Sequence, residues 1–159
     1  MTDETTVDVS AVVAEFIERG LSLATGESLT AGLLASTIAE VPGCSAMFRG
    51  AIVAYQVDLK RELLAVTDAE LERGVVSREV AVAMARGAAR RLHADVGVGT
   101  TGVAGPDTLD GEPAGSVWIA VTTAAGVRSS HLQIDADRAV VRRQTVVACL
   151  GLLWEALRE

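Results

Sequence analysis

Short apolar stretches alternate along this chain with longer segments whose apolar residues recur every three or four positions. That alternation limits the fold more than any other feature. "VDVSAVVAEFIER", Val7 to Arg19, has helical spacing and runs into Gly20, a residue suited to ending a helix. "LSLAT" reads as a short strand, and "LTAGLLASTIAE" as a helix stopped at Val41-Pro42-Gly43. The strand "RGAIVAY" leads into the helical "QVDLKRELLAV", and Thr67 with Glu70 forms a capping-box pattern for another short helix. "SREVAVAMARGAARRLH" is strongly amphipathic, and Asp95 to Thr100 reads as a buried strand after it. A loop rich in Gly, Pro and Asp follows. "SVWIAVTT" and "VRSSHLQI", joined by "AAG", then predict a hairpin, and "DRAVVRRQTVVACLGLLWEALRE" a long closing helix. The expected class is α/β: a single three-layer α/β/α domain over residues 1–159, with a mostly parallel mixed sheet and a C-terminal β-hairpin before the last helix.

Composition narrows the function classes. Aromatic residues make up only 3% of the chain, so Ala, Val and Leu must build the core. The formal charge of −7 argues against a nucleic-acid partner, which calls for a basic face. A small anionic ligand held by a local arginine cluster stays compatible with it. Cys44 and Cys149 show no metal-ligand spacing, which fits a reduced, cytoplasmic protein. The polar start "MTDETTVDVS" is unlike a signal peptide, and the apolar run "VVACLGLLW" is far too short to span a bilayer, so no membrane association is expected.

Several motifs invite a chemical reading. Gly97, Gly99 and Gly102 have GxGxxG spacing, but Pro106 and "DTLDG" leave no room for the helix a dinucleotide site needs at its third glycine. A glycine-rich loop lining a ligand pocket at a strand end is the compatible alternative. His93 falls at the end of a basic helix, and His131 alternates with Leu132 and Ile134, so it points away from the core. Neither suggests a Ser-His or Cys-His pair. Asp107, Asp110 and Glu112 share a loop without a metal-binding pattern, and no metal or cofactor is expected.

The basic residues are more informative. Thirteen are arginine and one, Lys60, is lysine; the only tyrosine, Tyr55, precedes it by five positions. Lysine loses its proton when desolvated and arginine does not, so Lys60 is either a solvated helix residue or a general base. Ser28 in "ATGESLTAG" is open to two readings as well. It is a helix N-cap, or a nucleophile beside helix N–H groups that stabilise an oxyanion, with small Ala31 and Gly32 admitting a substrate.

Taken in order, these pieces resemble the CinA C-terminal domain family, the nicotinamide mononucleotide deamidases. "GESLTAG" is similar to that family's AES-x-T-G-G motif, and "AYQVDLK" to its strand-end tyrosine with a lysine five residues later. "GVVS", "TGVAGPDTLDGEPAGSVWIAV" and "ADRAVVRRQT" match further motifs, from about Leu23 to the C-terminus. The resemblance implies hydrolysis of the carboxamide of nicotinamide mononucleotide to the acid and ammonia, without a metal, in pyridine-nucleotide salvage. It makes Ser28 the nucleophile and Lys60 the base, with Tyr55 orienting the lysine or relaying a proton. It also implies substrate contacts from Thr30, Thr101, Gly102 and Gly105, and phosphate contacts from Arg138 and Arg142. Four departures stand out: Leu29 where cysteine is common, Ala31 for the first glycine, "PDTLDG" for a Pro-x-Gly-Gly turn, and "ADR" for "GDR". Larger family members carry an additional N-terminal pyrophosphatase domain, which this chain is too short to hold. The alternative is a non-catalytic nucleotide- or partner-binding module of the same fold. A homo-oligomer is compatible with either reading.

Overall fold

The computed structural model describes residues 6–159, so the first five residues of the polar start lie outside the described part. Helix α1 spans Val9–Arg19; the Asp8 side chain accepts the Ser10 N–H at its start, and Gly20 ends it in the left-handed conformation (φ 64°). Strand β1 covers Leu23–Glu27, two residues later than the apolar pattern suggests, and all five of its residues are buried. Helix α2 is Leu33–Ala39, β2 is Phe48–Val53 and α3 is Val57–Leu64. The short α4, Asp68–Leu71, carries the expected capping box between Thr67 and Glu70. Helix α5 spans Arg78–Arg91, β3 Val96–Gly102, β4 Ser116–Thr123, β5 Gly126–Gln133 and α6 Arg138–Ala156.

The sheet order is β2-β1-β3-β4-β5. β1 pairs in parallel with both β2 and β3, whereas the β3–β4 and β4–β5 pairings are antiparallel. β4 is therefore the one strand running against the other four. One face carries α1, α2 and α6, whose Phe16, Leu34, Ile38, Val141 and Leu153 bury the side chains of Val96, Val98 and Ile119. The other carries α3, α4 and α5, packed through Leu64, Val80, Met84 and Ala88. This is the α/β/α domain that the alternation of segments implies.

Two glycines of the GxGxxG spacing have a packing role. Cβ atoms on Gly97 and Gly99 would sit 2.0 Å from the Ala85 carbonyl oxygen and 2.1 Å from that of Ala81. With alanines on the facing helix, these glycines let the α5 backbone lie almost directly on β3.

The segment after β1 departs most from the sequence pattern. Its helix starts at Leu33 rather than Leu29, because Ala31 (φ 47°) and Gly32 (φ 93°) are both left-handed. Gly32 is the N-cap residue, so the reading of Ser28 as a helix cap is corrected. Residues 28–32 form a non-helical turn between β1 and α2, and Ser28 lies within it.

Candidate active site

The functional residues gather where three parallel strands end. Ser28 directly follows β1, Ala54 and Tyr55 follow β2, and Thr101 and Gly102 close β3. Open α/β sheets bind ligands at this carboxyl edge. A cavity of about 600 Å³ opens there, lined among others by Ser28, Tyr55, Lys60, Thr101, Gly102 and Arg138. That volume lies within the usual range for a small-molecule site.

Lys60 enters this cavity from the first turn of α3 and is only 1% exposed. Its Nζ lies 2.8 Å from Ser28 Oγ, 2.9 Å from the Ala54 carbonyl oxygen and 2.8 Å from that of Tyr55. Burial pushes its pKa down from 10.5 to about 8, because the charged form loses solvation. A neutral amine keeps two N–H groups and one lone pair. With the N–H groups on the two carbonyls, the lone pair faces Ser28 Oγ.

The turn bearing Ser28 is held from three directions. Ser28 N–H donates to Thr100 at both its carbonyl oxygen (3.2 Å) and Oγ1 (3.3 Å), and Thr100 Oγ1 also contacts Thr30 Oγ1 at 3.0 Å. From α6, Arg142 donates through Nε to the Leu29 carbonyl and through Nη2 to that of Thr30, each at 2.9 Å. Glu27, fully buried, supplies the third hold. Its Oε1 accepts from the N–H groups of Gly32 (3.2 Å) and Leu34 (3.0 Å), and Oε2 from Ala35 N–H (3.1 Å) and Thr25 Oγ1 (2.9 Å). A carboxylate thus fills the start of α2, where charge and orphan donors both favour it. Those helix N–H groups are therefore not free to hold an oxyanion, which corrects the expectation placed on them.

The remaining residues named from the sequence fall into two groups. Thr101 is buried and gives its hydroxyl hydrogen to the Val75 carbonyl (2.8 Å); Gly102 and Gly105 also line the cavity. Arg138 stands at the rim, donating to the Gly105 carbonyl (2.6 Å) and to the hydroxyl of the half-exposed Tyr55 (2.9 Å). Tyr55 reaches Lys60 through its main-chain carbonyl, while its hydroxyl is engaged by Arg138. Thr30 and Arg142 do not line the cavity; both belong to the support of the turn. Ala31 and Gly32 do not line it either, and they serve the left-handed bend instead.

Sequence reasoning missed Glu27 as a cap, and it missed Asp107 and Asp110 as cavity walls. It also gave no hint of a contact between Ser116 Oγ and His131 Nε2 at 2.9 Å. That serine is fully buried and lies off the cavity; its contact with His131 ties β4 to β5, and its hydroxyl bond to Glu112 ties the hairpin to the preceding loop. Among the described residues, no three His, Cys, Asp or Glu side chains group closely enough to hold a metal ion. Among them also, no helix is long and apolar enough to cross a membrane.

The same architecture occurs in solved structures. A competence/damage inducible protein from Agrobacterium tumefaciens superposes with a TM-score of 0.86 at 34% identity, covering 96% of this chain and 97% of that one. A CinA superfamily protein from Escherichia coli gives a TM-score of 0.91 at 31% identity, covering 98% and 94%. A Lactiplantibacillus plantarum protein named for competence and damage induction is 44% identical over 153 residues, 95% of this chain and 36% of that protein. A CinA-like protein of Frankia casuarinae is 39% identical over 147 residues, 92% and 34%. This chain thus spans about a third of the length of these two curated relatives. The family model of the CinA C-terminal domain matches residues 6–157, nearly the whole chain. On that match, and on relatives well above 30% identity, the chain belongs to the CinA C-terminal domain family.

Proposed function

We propose that this protein is an amidohydrolase that converts nicotinamide mononucleotide to nicotinic acid mononucleotide and ammonia, a step of pyridine-nucleotide salvage. The observation that carries the reading is the buried Lys60 amine, 2.8 Å from Ser28 Oγ and aimed by two main-chain carbonyls. Lys60 in its neutral form takes the Ser28 proton as Oγ attacks the carboxamide carbon. The tetrahedral intermediate collapses as the Lys60 ammonium returns that proton to the departing nitrogen, releasing ammonia. An ester to Ser28 remains. Water then gives a proton to Lys60 and adds to the ester, and the ammonium reprotonates Ser28 as the acid leaves.

The cavity suits the charge pattern of such a substrate. A nicotinamide nucleotide carries a cationic pyridinium ring and an anionic phosphate. Asp107 and Asp110 line the cavity on the loop after β3, while Arg138 offers a guanidinium at the rim for the phosphate. Thr101 and Gly102 lie at the end of β3, beside the proposed dyad, where the carboxamide end would bind.

An ammonia-release assay over nicotinamide, its mononucleotide and the dinucleotide tests this. The mononucleotide should be turned over fastest. Binding of the mononucleotide without ammonia release would instead identify a non-catalytic binding module.

A further inference from the structure

We infer that the side-chain amide of Gln56 reads the scissile carboxamide, its NH₂ donating to the substrate carbonyl oxygen and its own carbonyl accepting a substrate N–H. This inference rests on the amidohydrolase reading above and names the group that selects an amide at that site.

Gln56 is the N-cap residue of α3, but its side chain makes no capping bond. Its main-chain carbonyl accepts the Lys60 N–H at 3.1 Å, while its side-chain amide has no protein partner among the described residues. Ser, Thr, Asp and Asn suit an N-cap because their short side chains reach back to the first turn. The helix therefore gives no reason for a glutamine. The cavity does: Gln56 lines it together with Ser28 and Lys60.

Position along the chain brings this amide close to the reacting atoms. Lys60 follows four residues later, so the two share one side of α3. Helical side chains lean toward the N-terminus, and the Lys60 amine accordingly runs back to the carbonyls of Ala54 and Tyr55. Gln56 is the next residue after the second of these.

Donor and acceptor chemistry distinguishes it from the other cavity walls. A carboxamide offers N–H groups and a carbonyl oxygen, so its recognition takes an acceptor and a donor side by side. The Tyr55 hydroxyl is engaged by Arg138, and Thr101 gives its hydrogen to Val75. Asp107 and Asp110, when ionised, accept and donate nothing. Gln56 carries both functions in one planar group, which suits paired hydrogen bonds. The same pairing separates substrate from product. The acid has no N–H to give, and its carboxylate would meet the Gln56 carbonyl, acceptor against acceptor. A site built to bond an N–H rejects a ligand that lacks it.

Binding to Ser28→Ala protein, which cannot form the acyl-enzyme, separates recognition from turnover. Calorimetric titration with nicotinamide mononucleotide and with nicotinic acid mononucleotide gives the ratio of their Kd values. Adding Gln56→Met, which keeps the length and removes both polar groups, should lower the preference for the amide by about tenfold. With Ser28 intact, Gln56→Met should lower kcat/KM for the mononucleotide by about 10- to 100-fold. The loss should be smaller on nicotinic acid mononucleotide methyl ester, which keeps the carbonyl and has no N–H. Denaturant melts should not change, because this side chain bonds nothing else in the folded chain. An amide preference that survives Gln56→Met, or an unaltered kcat/KM, overturns this inference and leaves the amidohydrolase reading standing. A wild type that releases no ammonia overturns that reading, and this inference with it.

Discussion

Lys60 Nζ lies 2.8 Å from Ser28 Oγ, and the carbonyls of Ala54 and Tyr55 occupy its other directions. A buried amine so placed hydrogen-bonds to the hydroxyl when charged and can accept its proton when neutral.

Since burial lowers the Lys60 pKa to about 8, kcat/KM should rise with pH and level off above that value. Below it, activity should fall about tenfold per unit as the amine charges. Lys60→Arg keeps the charge and removes the base, so kcat should drop by about 100-fold or more, and this limb of the profile should vanish. A wild-type limb that persists in the arginine variant would assign the titration to another group.

Stability should carry the same signature with a defined sign. Lys60 has a folded pKa below its unfolded value, so between about 8 and 10.5 the unfolded chain binds more protons than the folded one. Its contribution to unfolding free energy therefore rises with pH across that window and is flat below it. Denaturant melts at several pH values, compared with the same series for Lys60→Met, isolate this contribution. A difference that falls as pH rises would contradict the burial of a cationic amine.

The two arginines should separate in kinetics. Arg142 holds two carbonyls of the serine turn, so Arg142→Ala should lower kcat on the mononucleotide and its riboside alike, with about 1–3 kcal/mol of lost stability. Arg138 stands at the rim, so Arg138→Ala should raise KM for the mononucleotide by about 10-fold or more and leave the riboside little affected. Steady-state rates on both substrates decide between these roles.

Glu27 should matter through the turn it anchors. Glu27→Gln exchanges a carboxylate with four donors for an amide whose NH₂ cannot accept, leaving buried helix N–H groups short of a partner. A stability loss of about 1–3 kcal/mol is expected from denaturant melts. An unchanged melt would mean that the helix start finds other acceptors.

How far the sequence speaks depends on the distance over which each residue acts. The capping box at Thr67 and Glu70, the stop at Gly20 and the β4–β5 hairpin are local, and their residues alone specify them. β1 and α2 were displaced because their boundary is decided by a left-handed alanine and by Glu27 reaching across the turn to Gly32, Leu34 and Ala35. Capping rules look for a short polar residue at the helix start, and here the group comes from a buried strand end. In the site, the order of motifs pointed to Ser28, Lys60 and Tyr55. Nothing local signals that Arg142 contacts carbonyls more than a hundred positions away, or that the Tyr55 hydroxyl turns toward Arg138.

The most direct measurement of the central claim is ammonia release from nicotinamide mononucleotide by the wild-type protein beside Ser28→Ala. The wild type should give equal amounts of ammonia and nicotinic acid mononucleotide, and the variant should lose at least about 1,000-fold in kcat without loss of fold. A wild type that releases no ammonia, or a Ser28→Ala protein that releases it at the wild-type rate, would contradict it.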